Sequence, residues 1–370
     1  MKKNITFICG ASDFHAIDWY RTIKKINSKK GVKVNIVTDS YDPYKKDNLL
    51  NESDNIFILF NIGKLTSTTS NSNFSDFFRN LLKLVVIPIQ AYRLHKLSKK
   101  LTDNLFHAHS MYYIFLSWVS GIDYIATPMG SDILVRPDRS LIYKYFSIRS
   151  LKYAKKITVD SRRMFNKILK LTNRKSSIVQ NGVDISEIQS FKKLDYKRNK
   201  LTSIRALYPN YRINELILKR NTSSNKNLGI SFLYPFYETS YRESILNYFN
   251  INDVDLGRLN KENMYKTLWK SKIVFSIPES DSSPRSVYES IFCGCVIITS
   301  PAEWIDYVTE CMKQRIIIAD MKKYNWFDNT LKRALEISKI KYNPSQKAYD
   351  IFDQFSSMKM MSKNIYEIYD

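Results

Sequence analysis

A chain of 370 residues, 44% apolar and 25% charged, is too long for one ordinary core, suits two domains of roughly 150–200 residues each, and is not the composition of a disordered protein. The formal charge of +23 is uneven, with 30 Lys and Arg against 15 Asp and Glu in residues 1–190, and is met either by an anionic partner or by a lysine-rich surface that keeps the protein soluble. Four scattered cysteines without a matching His or Cys pair argue against zinc and fit reduced thiols, and no apolar run nears the ~20 residues of a bilayer span, so any membrane contact is peripheral.

Lys2 and Lys3 precede an apolar run that breaks at Asp13 and His15; it reads as a first strand and not as a signal peptide. Strands are expected at Ile5–Cys9, Val32–Thr38, Ile56–Phe60, Leu105–Ala108, Tyr124–Thr127, Ile157–Asp160 and Ile178–Gln180. Their blocky apolar character suits a parallel sheet buried on both faces. Helical spacing fills the gaps at Phe77–Lys100, Leu141–Lys155 and Ser161–Leu171, and strand–helix alternation predicts a doubly wound α/β domain. Within the first of these, Leu81–Leu101 is apolar first and basic later, which packing on the sheet explains and an anionic membrane surface also would; Pro88 would kink or start it. The polar, basic segment Ile185–Lys200 is the expected linker.

The second half repeats the pattern, with strands at Thr202–Ala206, Ile230–Pro235, Val254–Leu256, Ile273–Ile277, Val296–Thr299 and Arg315–Ile318, and an amphipathic stretch from about Pro344 to the end. The expected organisation is 1–190, 191–345 and a terminal helix 346–370 packing back on the first domain. In open α/β sheets ligands sit off the carboxyl ends of strands, and two such domains would face each other across a cleft. The polar residues just past strands therefore come first: Gly10 to His15, Asp39, His109, Gly130-Ser131-Asp132, Asn181-Gly182, Arg205 and residues 279–289. With only 9 glycines in the chain, each one is informative. His107, two residues before His109, is expected to point away from it. Asp253-Val254-Asp255 resembles a metal-binding Asp-x-Asp but reads as a structural strand end, and no metal is expected.

The densest constellation follows the strand that ends at Pro278. Ser283 is suited to N-cap a helix with Pro284 at its first position, Val287 and Ile291 share one face, and Gly294 ends it. Arg285 and Glu289 lie four apart on another face. A helix N-terminus suits a diphosphate, a carboxylate one turn in can accept from a hydroxyl pair, and Asp281 would reach the other end of a bound donor. A capped helix with an Arg285–Glu289 surface pair explains the same residues without a ligand.

The acidic pair Asp281 and Glu289, separated by seven residues, resembles that of family 4 retaining glycosyltransferases. So does its setting, Pro278-Glu-Ser-Asp-Ser-Ser-Pro-Arg-Ser-Val-Tyr-Glu-Ser followed by Cys-Gly-Cys-Val-Ile-Ile-Thr-Ser-Pro. Phe106-His-Ala-His, Thr127-Pro-Met-Gly-Ser-Asp, Ile157-Thr-Val-Asp-Ser, Val179-Gln-Asn-Gly-Val-Asp and Ser203-Ile-Arg appear in the matching order, so the likeness spans about 100–300. The resemblance implies the GT-B fold, two Rossmann-like domains facing across a cleft. It implies transfer of a sugar from a nucleotide-diphosphate sugar to a saccharide acceptor, lipid-linked in some relatives, as in surface polysaccharide biosynthesis. Glu289 would hold the ribose, Asp281 and the amides of Ser282, Ser283 and Arg285 around Pro284 would face donor sugar and diphosphate, and Arg205 would neutralise the departing phosphate, with His109 at substrate hydroxyls. Gly10, Asp13, His15, Gly130, Ser131 and Asp132 would form the acceptor side. Departures are Asp281 where the family usually has Glu, Asn210 where a Lys is common (Arg212 being the substitute), Met129 where many members have His, and a glycine-rich loop reduced to Gly10 with Ser12 beside it. No cofactor is implied beyond the nucleotide-sugar co-substrate. The expected location is cytoplasmic, peripheral at the inner membrane face, and no nucleic-acid motif is present. A non-catalytic sugar-nucleotide binder or partner subunit is the alternative.

Overall fold

A computed structural model of the chain describes residues 4–11, 13–27, 31–39, 41, 50, 54–60, 73–180, 182–193 and 195–366, with the side chains of 73–84 and 360–363 left aside. Ser12 and Asn181 lie outside the described residues. The chain forms two compact units, 1–180 with 357–370, and 181–356.

The first unit is built on a parallel sheet ordered β3-β2-β1-β4-β5-β6-β7. Its strands are β1 (Asn4–Ile8), β2 (Val34–Thr38), β3 (Ile56–Ile58), β4 (Asn104–His109), β5 (Tyr124–Thr127), β6 (Lys156–Val159) and β7 (Ser177–Ile178). Ile5 pairs with Val34 on one side and Leu105 on the other. Successive residues of a strand serve opposite faces. Ile8 and Val37 therefore join a core with Leu94, Ile114 and Leu151, whereas Phe7 and Ile36 join one with Ile17 and Tyr20. Met358 and Ile365 complete that second core, so the chain end belongs to this unit.

The second unit carries β8 (Lys200–Ser203), β9 (Ser231–Leu233), β10 (Val254–Gly257), β11 (Ser271–Ser276), β12 (Val296–Thr299) and β13 (Ile316–Ile318), all parallel and ordered β10-β9-β8-β11-β12-β13. Each sheet thus follows the doubly wound order and reverses at one place, between β1 and β4 and between β8 and β11. The fold class is the α/β one anticipated from the alternation of apolar runs.

Three local expectations change. The segment 185–200 opens with a helix, Ile185–Ser190, and is no featureless linker. The Asp184 side chain accepts from Glu187 N at 2.9 Å, and Ile185 and Ile188 enter the core of the second unit. A helix this short shows too little periodicity to be read in advance. The helix Asn73–Lys100 starts well before Pro88, which lies inside it, and Val86, Ile87, Ala91 and Leu94 are buried, so packing accounts for this face of 85–101. The terminal stretch is two helices, Gln346–Phe352 and Gln354–Tyr366, rather than one. Among the described residues no helix is long and apolar enough to cross a membrane.

Asp253 and Asp255 are both committed within the second unit. Asp253 is fully buried against Arg220, at 2.7 and 2.6 Å, and accepts from Ile230 N at 2.8 Å. Asp255 accepts from Tyr234 OH at 2.7 Å and Arg242 Nη2 at 2.5 Å.

Candidate functional site

At the reversal between β8 and β11 the flanking connections diverge, which in open α/β sheets makes a crevice at the strand ends. Arg205 enters it two residues past β8, only 8% exposed. Its Nε donates to Ser276 Oγ, at the end of β11, over 2.7 Å. Its Nη2 lies 2.6 Å from Asp281 Oδ2, and its guanidinium sits over the Tyr211 ring at 5.5 Å. A buried cation needs such partners, because an unpaired charge there would cost several kcal/mol.

The loop that carries Asp281 is braced from the connection after β8 and from the end of β12. Glu279 N donates to Asn210 O at 2.7 Å, Asn210 Nδ2 to Ser280 O at 3.4 Å, and Ser300 Oγ to Pro278 O. Asn210 thus acts as a loop brace. Arg212 takes a left-handed backbone, φ 53°, at the start of the helix Ile213–Asn221, and its guanidinium engages Glu215 at 3.6 Å and Met321 Sδ at 3.7 Å.

The next helix is Arg285–Phe292, and Pro284, not Ser283, holds its cap position. The Pro284 backbone (ψ 86°) is not helical, and its carbonyl accepts the amides of Val287 and Tyr288, so the first turn begins one residue later than expected. Ser282 and Ser283 stay half-buried in the loop before it. The amides of Arg285 and Ser286 belong to the donor end of this helix. Gly294 closes it at φ 80°, and a Cβ there would come within 2.7 Å of Arg198 Nη1, which itself donates to Cys293 O. Gly294→Ala is expected to cost about 1–2 kcal/mol and to lower Tm by roughly 2–8 °C in a thermal melt. An unchanged melt would show that this backbone relaxes freely.

Glu289, 7% exposed, sits one turn inside that helix. Tyr265 OH donates to its Oε1 at 3.1 Å, and Arg285 Nε is 3.5 Å from the same oxygen. The Arg285–Glu289 pair therefore exists but is largely buried. Tyr265 comes from the helix Lys261–Trp269 and is wholly buried, with Phe191 stacked on it at 6.0 Å. Burial, then the Glu289 charge, pushes its phenol pKa upward, so it remains a donor. Sequence reasoning passed over Tyr265; the available signal was a tyrosine on an apolar helix face, whose hydroxyl must find a partner.

In the first unit the reversal lies between β1 and β4. Past β1, Asp13 caps the helix Phe14–Asn27, accepting from His15 N at 3.0 Å and Ala16 N at 3.2 Å. Gly10 faces Tyr113, whose hydroxyl donates to Asp39 Oδ1 at 2.5 Å. His109 ends β4, 1% exposed, with ring centroids 5.1 Å from Trp19 and 5.4 Å from Phe7. Burial, and secondarily the charge of His15, pushes its pKa down to about 3, so the imidazole is neutral at neutral pH. Its Nε2 is buried without a hydrogen-bond partner among the described residues.

His107 does not point away from His109: their ring centroids are 4.4 Å apart. Residues two apart on a strand share a face, and the expectation had the alternation wrong. His107 bonds Tyr366 OH at 2.8 Å and Thr127 Oγ1 at 2.7 Å. Ser110, next to His109, has φ 67° and ψ 155°, a backbone region that costs a non-glycine residue strain and that no sequence signal marks.

Gly130 opens the helix Gly130–Leu134, in which Ser131 is exposed and Asp132 buried. Asp132 accepts from Met111 N at 2.9 Å and Met129 N at 3.2 Å, takes Tyr143 OH at 3.3 Å, and pairs with Arg136 at 3.1 Å. The short carboxylate at a helix start, with two amides in reach, explains this structural engagement.

Solved structures match the chain over its whole length. Sucrose-phosphate synthase from Thermosynechococcus elongatus is 11% identical with a TM-score of 0.74, covering 100% of this chain and 99% of that one. A glycosyltransferase from Rickettsia africae ESF-5 is 10% identical, TM-score 0.70, covering 99% and 98%. An alpha,alpha-trehalose-phosphate synthase (UDP-forming) from Burkholderia vietnamiensis is 10% identical, TM-score 0.67, covering 100% and 99%. At these identities the likeness shows the fold, which is the GT-B type with two Rossmann-like domains. No protein-family profile and no curated protein matches the sequence.

Proposed function

We propose that this chain is a glycosyltransferase that moves a sugar from a nucleotide-diphosphate sugar to a saccharide acceptor with retention of anomeric configuration. The observation that carries this reading is Arg205, a buried cation aimed by Ser276 and Asp281 at the reversal of the second sheet. Its neighbour is a helix N-terminus with Glu289 one turn in. The reaction breaks the bond from the anomeric carbon to the diphosphate oxygen, and the electron pair leaves with the nucleoside diphosphate. Arg205 and the amides at Arg285 and Ser286 meet that growing negative charge where little water dilutes it. The acceptor hydroxyl forms the new bond from the same face and gives its proton to the departing diphosphate. We assign no covalent nucleophile.

Glu289 accepts from the ribose hydroxyls while Tyr265 donates to its Oε1. Asp281 aims Arg205 and, with Ser282, Ser283 and Pro284, borders the donor sugar. Acceptor recognition is assigned to the first unit, where His109, neutral and with its Nε2 unpartnered among the described residues, ends β4, and Gly10 and His15 follow β1. The acceptor is a saccharide, lipid-linked at the inner face of a membrane, as in surface polysaccharide assembly. The likeness to enzymes whose names specify phosphorylated sugars and UDP supports the reaction class without naming a donor. A second reading, a binder without turnover, is favoured by one observation: Asp281 already neutralises Arg205.

A thermal-shift series with UDP-, GDP-, dTDP- and CMP-sugars tests the donor site. A true donor at 100 times its Kd stabilises by about 2.7 kcal/mol, a shift of roughly 5–10 °C. If none of the four classes shifts the melt, the donor assignment fails.

Tyr265 supplies a finer check. Tyr265→Phe keeps the ring and removes the hydroxyl, so affinity for a nucleoside diphosphate should fall about 3- to 10-fold. Affinity for its 2′,3′-dideoxy analogue should stay the same. Equal losses for both ligands would mean that Tyr265 acts only through packing.

A further inference from the structure

We propose that the helix Leu141–Tyr153 is the face by which the first unit lies on an anionic lipid bilayer. One side of this helix is buried through Ser147, Ser150 and Leu151. The opposite side carries large apolar groups into solvent, with Leu141 83% exposed, Ile142 73% and Tyr153 63%, and Tyr145 and Phe146 also exposed. Positions 141 and 145, 142 and 146 are one turn apart, so these side chains form a single strip. The strip continues onto the helix Met111–Val119: Phe146 lies 5.1 Å from Phe115 and Tyr153 lies 6.1 Å from Trp118. Scattered exposed apolar residues need no explanation, whereas a contiguous strip marks something that covers it.

Charge identifies the occupant. The helix contains no Asp or Glu and three cations, Lys144, Arg149 and Lys152; exposed Arg139 precedes it, as does Arg136, which is paired with Asp132. Asp138, the acid between those arginines, is taken by Lys167 at 2.7 Å. Arg149 rests over the Tyr145 ring at 5.4 Å, an aromatic and a cation on one exposed face. Such a mixture matches the boundary layer of a bilayer, where aromatic rings and aliphatic tips sink among the headgroups and basic side chains stay at the phosphates. A second copy of the chain fits poorly, because a two-fold contact would bring together two copies of one face that carries Arg149 and Lys152 and no acid. A polyanion without an apolar layer would leave Leu141 and Ile142 in water. The helix is only 13 residues long, so it lies in the surface plane instead of crossing it. This surface differs from the Leu81–Leu101 stretch and does not depend on the donor site.

The test sediments the full-length chain with vesicles of phosphatidylcholine alone and with vesicles containing about one third phosphatidylglycerol. The expected result is binding to the anionic vesicles that falls sharply at about 1 M salt. Arg149→Gln with Lys152→Gln should reduce partitioning roughly 25-fold, about fivefold per cation. Leu141→Ser with Ile142→Ser should remove the binding that survives high salt. All four side chains are exposed or largely so, and an unchanged melting temperature confirms that the variants fold. No vesicle binding, equal binding to both vesicle types, or variants that bind like the parent would overturn the proposal. So would light scattering that shows a dimer which the serine pair dissociates, since a second copy would then be the occupant. Because the assay contains no sugar nucleotide, its failure leaves the transferase reading untouched, and the reverse also holds.

Discussion

Arg205→Ala is expected to lower the turnover number for sugar transfer by about 10²- to 10³-fold, the range seen when one preorganised donor is removed from a site where charge develops. The reason is positional. Arg205 is held by Ser276 Oγ at 2.7 Å and Asp281 at 2.6 Å, so its charge is in place before the leaving group needs it. Two unit charges about 4 Å apart interact by about 4 kcal/mol at an effective dielectric of 20, enough to supply the loss. Arg205→Lys keeps the charge but not the planar fork that reaches Ser276 and Asp281 together, and should recover only part of the rate. Removing Arg205 also strands the Asp281 carboxylate, so the melt must be measured beside the kinetics. Asp281→Asn separates the two effects: it frees Arg205 from its partner and leaves the cation in place. Turnover in Arg205→Ala within a few-fold of the parent would end the leaving-group assignment.

Glu289→Ala is expected to act on binding. Hydrogen bonds to a charged acceptor contribute about 1.5–3 kcal/mol, so affinity for the nucleoside diphosphate should fall roughly 10- to 150-fold. The loss should vanish for the 2′,3′-dideoxy analogue, which offers the carboxylate nothing to accept. Calorimetric titration of both ligands against both proteins gives the four values needed. The geometry motivates the size: Glu289 is 7% exposed and Tyr265 and Arg285 share Oε1, so the carboxylate is fixed in direction. A loss of equal size for the ribo and dideoxy ligands would assign Glu289 to packing of its helix.

The strands of both units were legible because parallel strands buried on two faces read as short apolar runs, as at Val34–Thr38 and Val296–Thr299. The rule that ligands gather past strand ends brought Arg205 and residues 279–289 forward together. The sequence does not show that Arg205 reaches Ser276, 71 residues away, because the pairing of β8 with β11 creates that contact. Tyr265 was hidden for a related reason: its place on an apolar helix face is the pattern of any core residue. The Asn210 brace, the strained Ser110 and the amides gathered by Asp132 depend on backbone paths that periodicity does not carry. His107 is a different case. The two-residue spacing by itself puts it on the face of His109. Ser283 followed by Pro284 has the residue types of a helix start, whereas the Pro284 carbonyl takes the first helical amides.

Sugar transfer is tested by incubating the chain with whichever nucleotide sugar stabilises it and a saccharide acceptor, and following nucleoside diphosphate release and the acceptor by NMR. Transfer with retention gives one nucleoside diphosphate per new glycosidic bond and an anomeric configuration equal to that of the donor, at a rate that collapses in Arg205→Ala. A stabilising donor that is never cleaved, or one cleaved equally fast without Arg205, would contradict it.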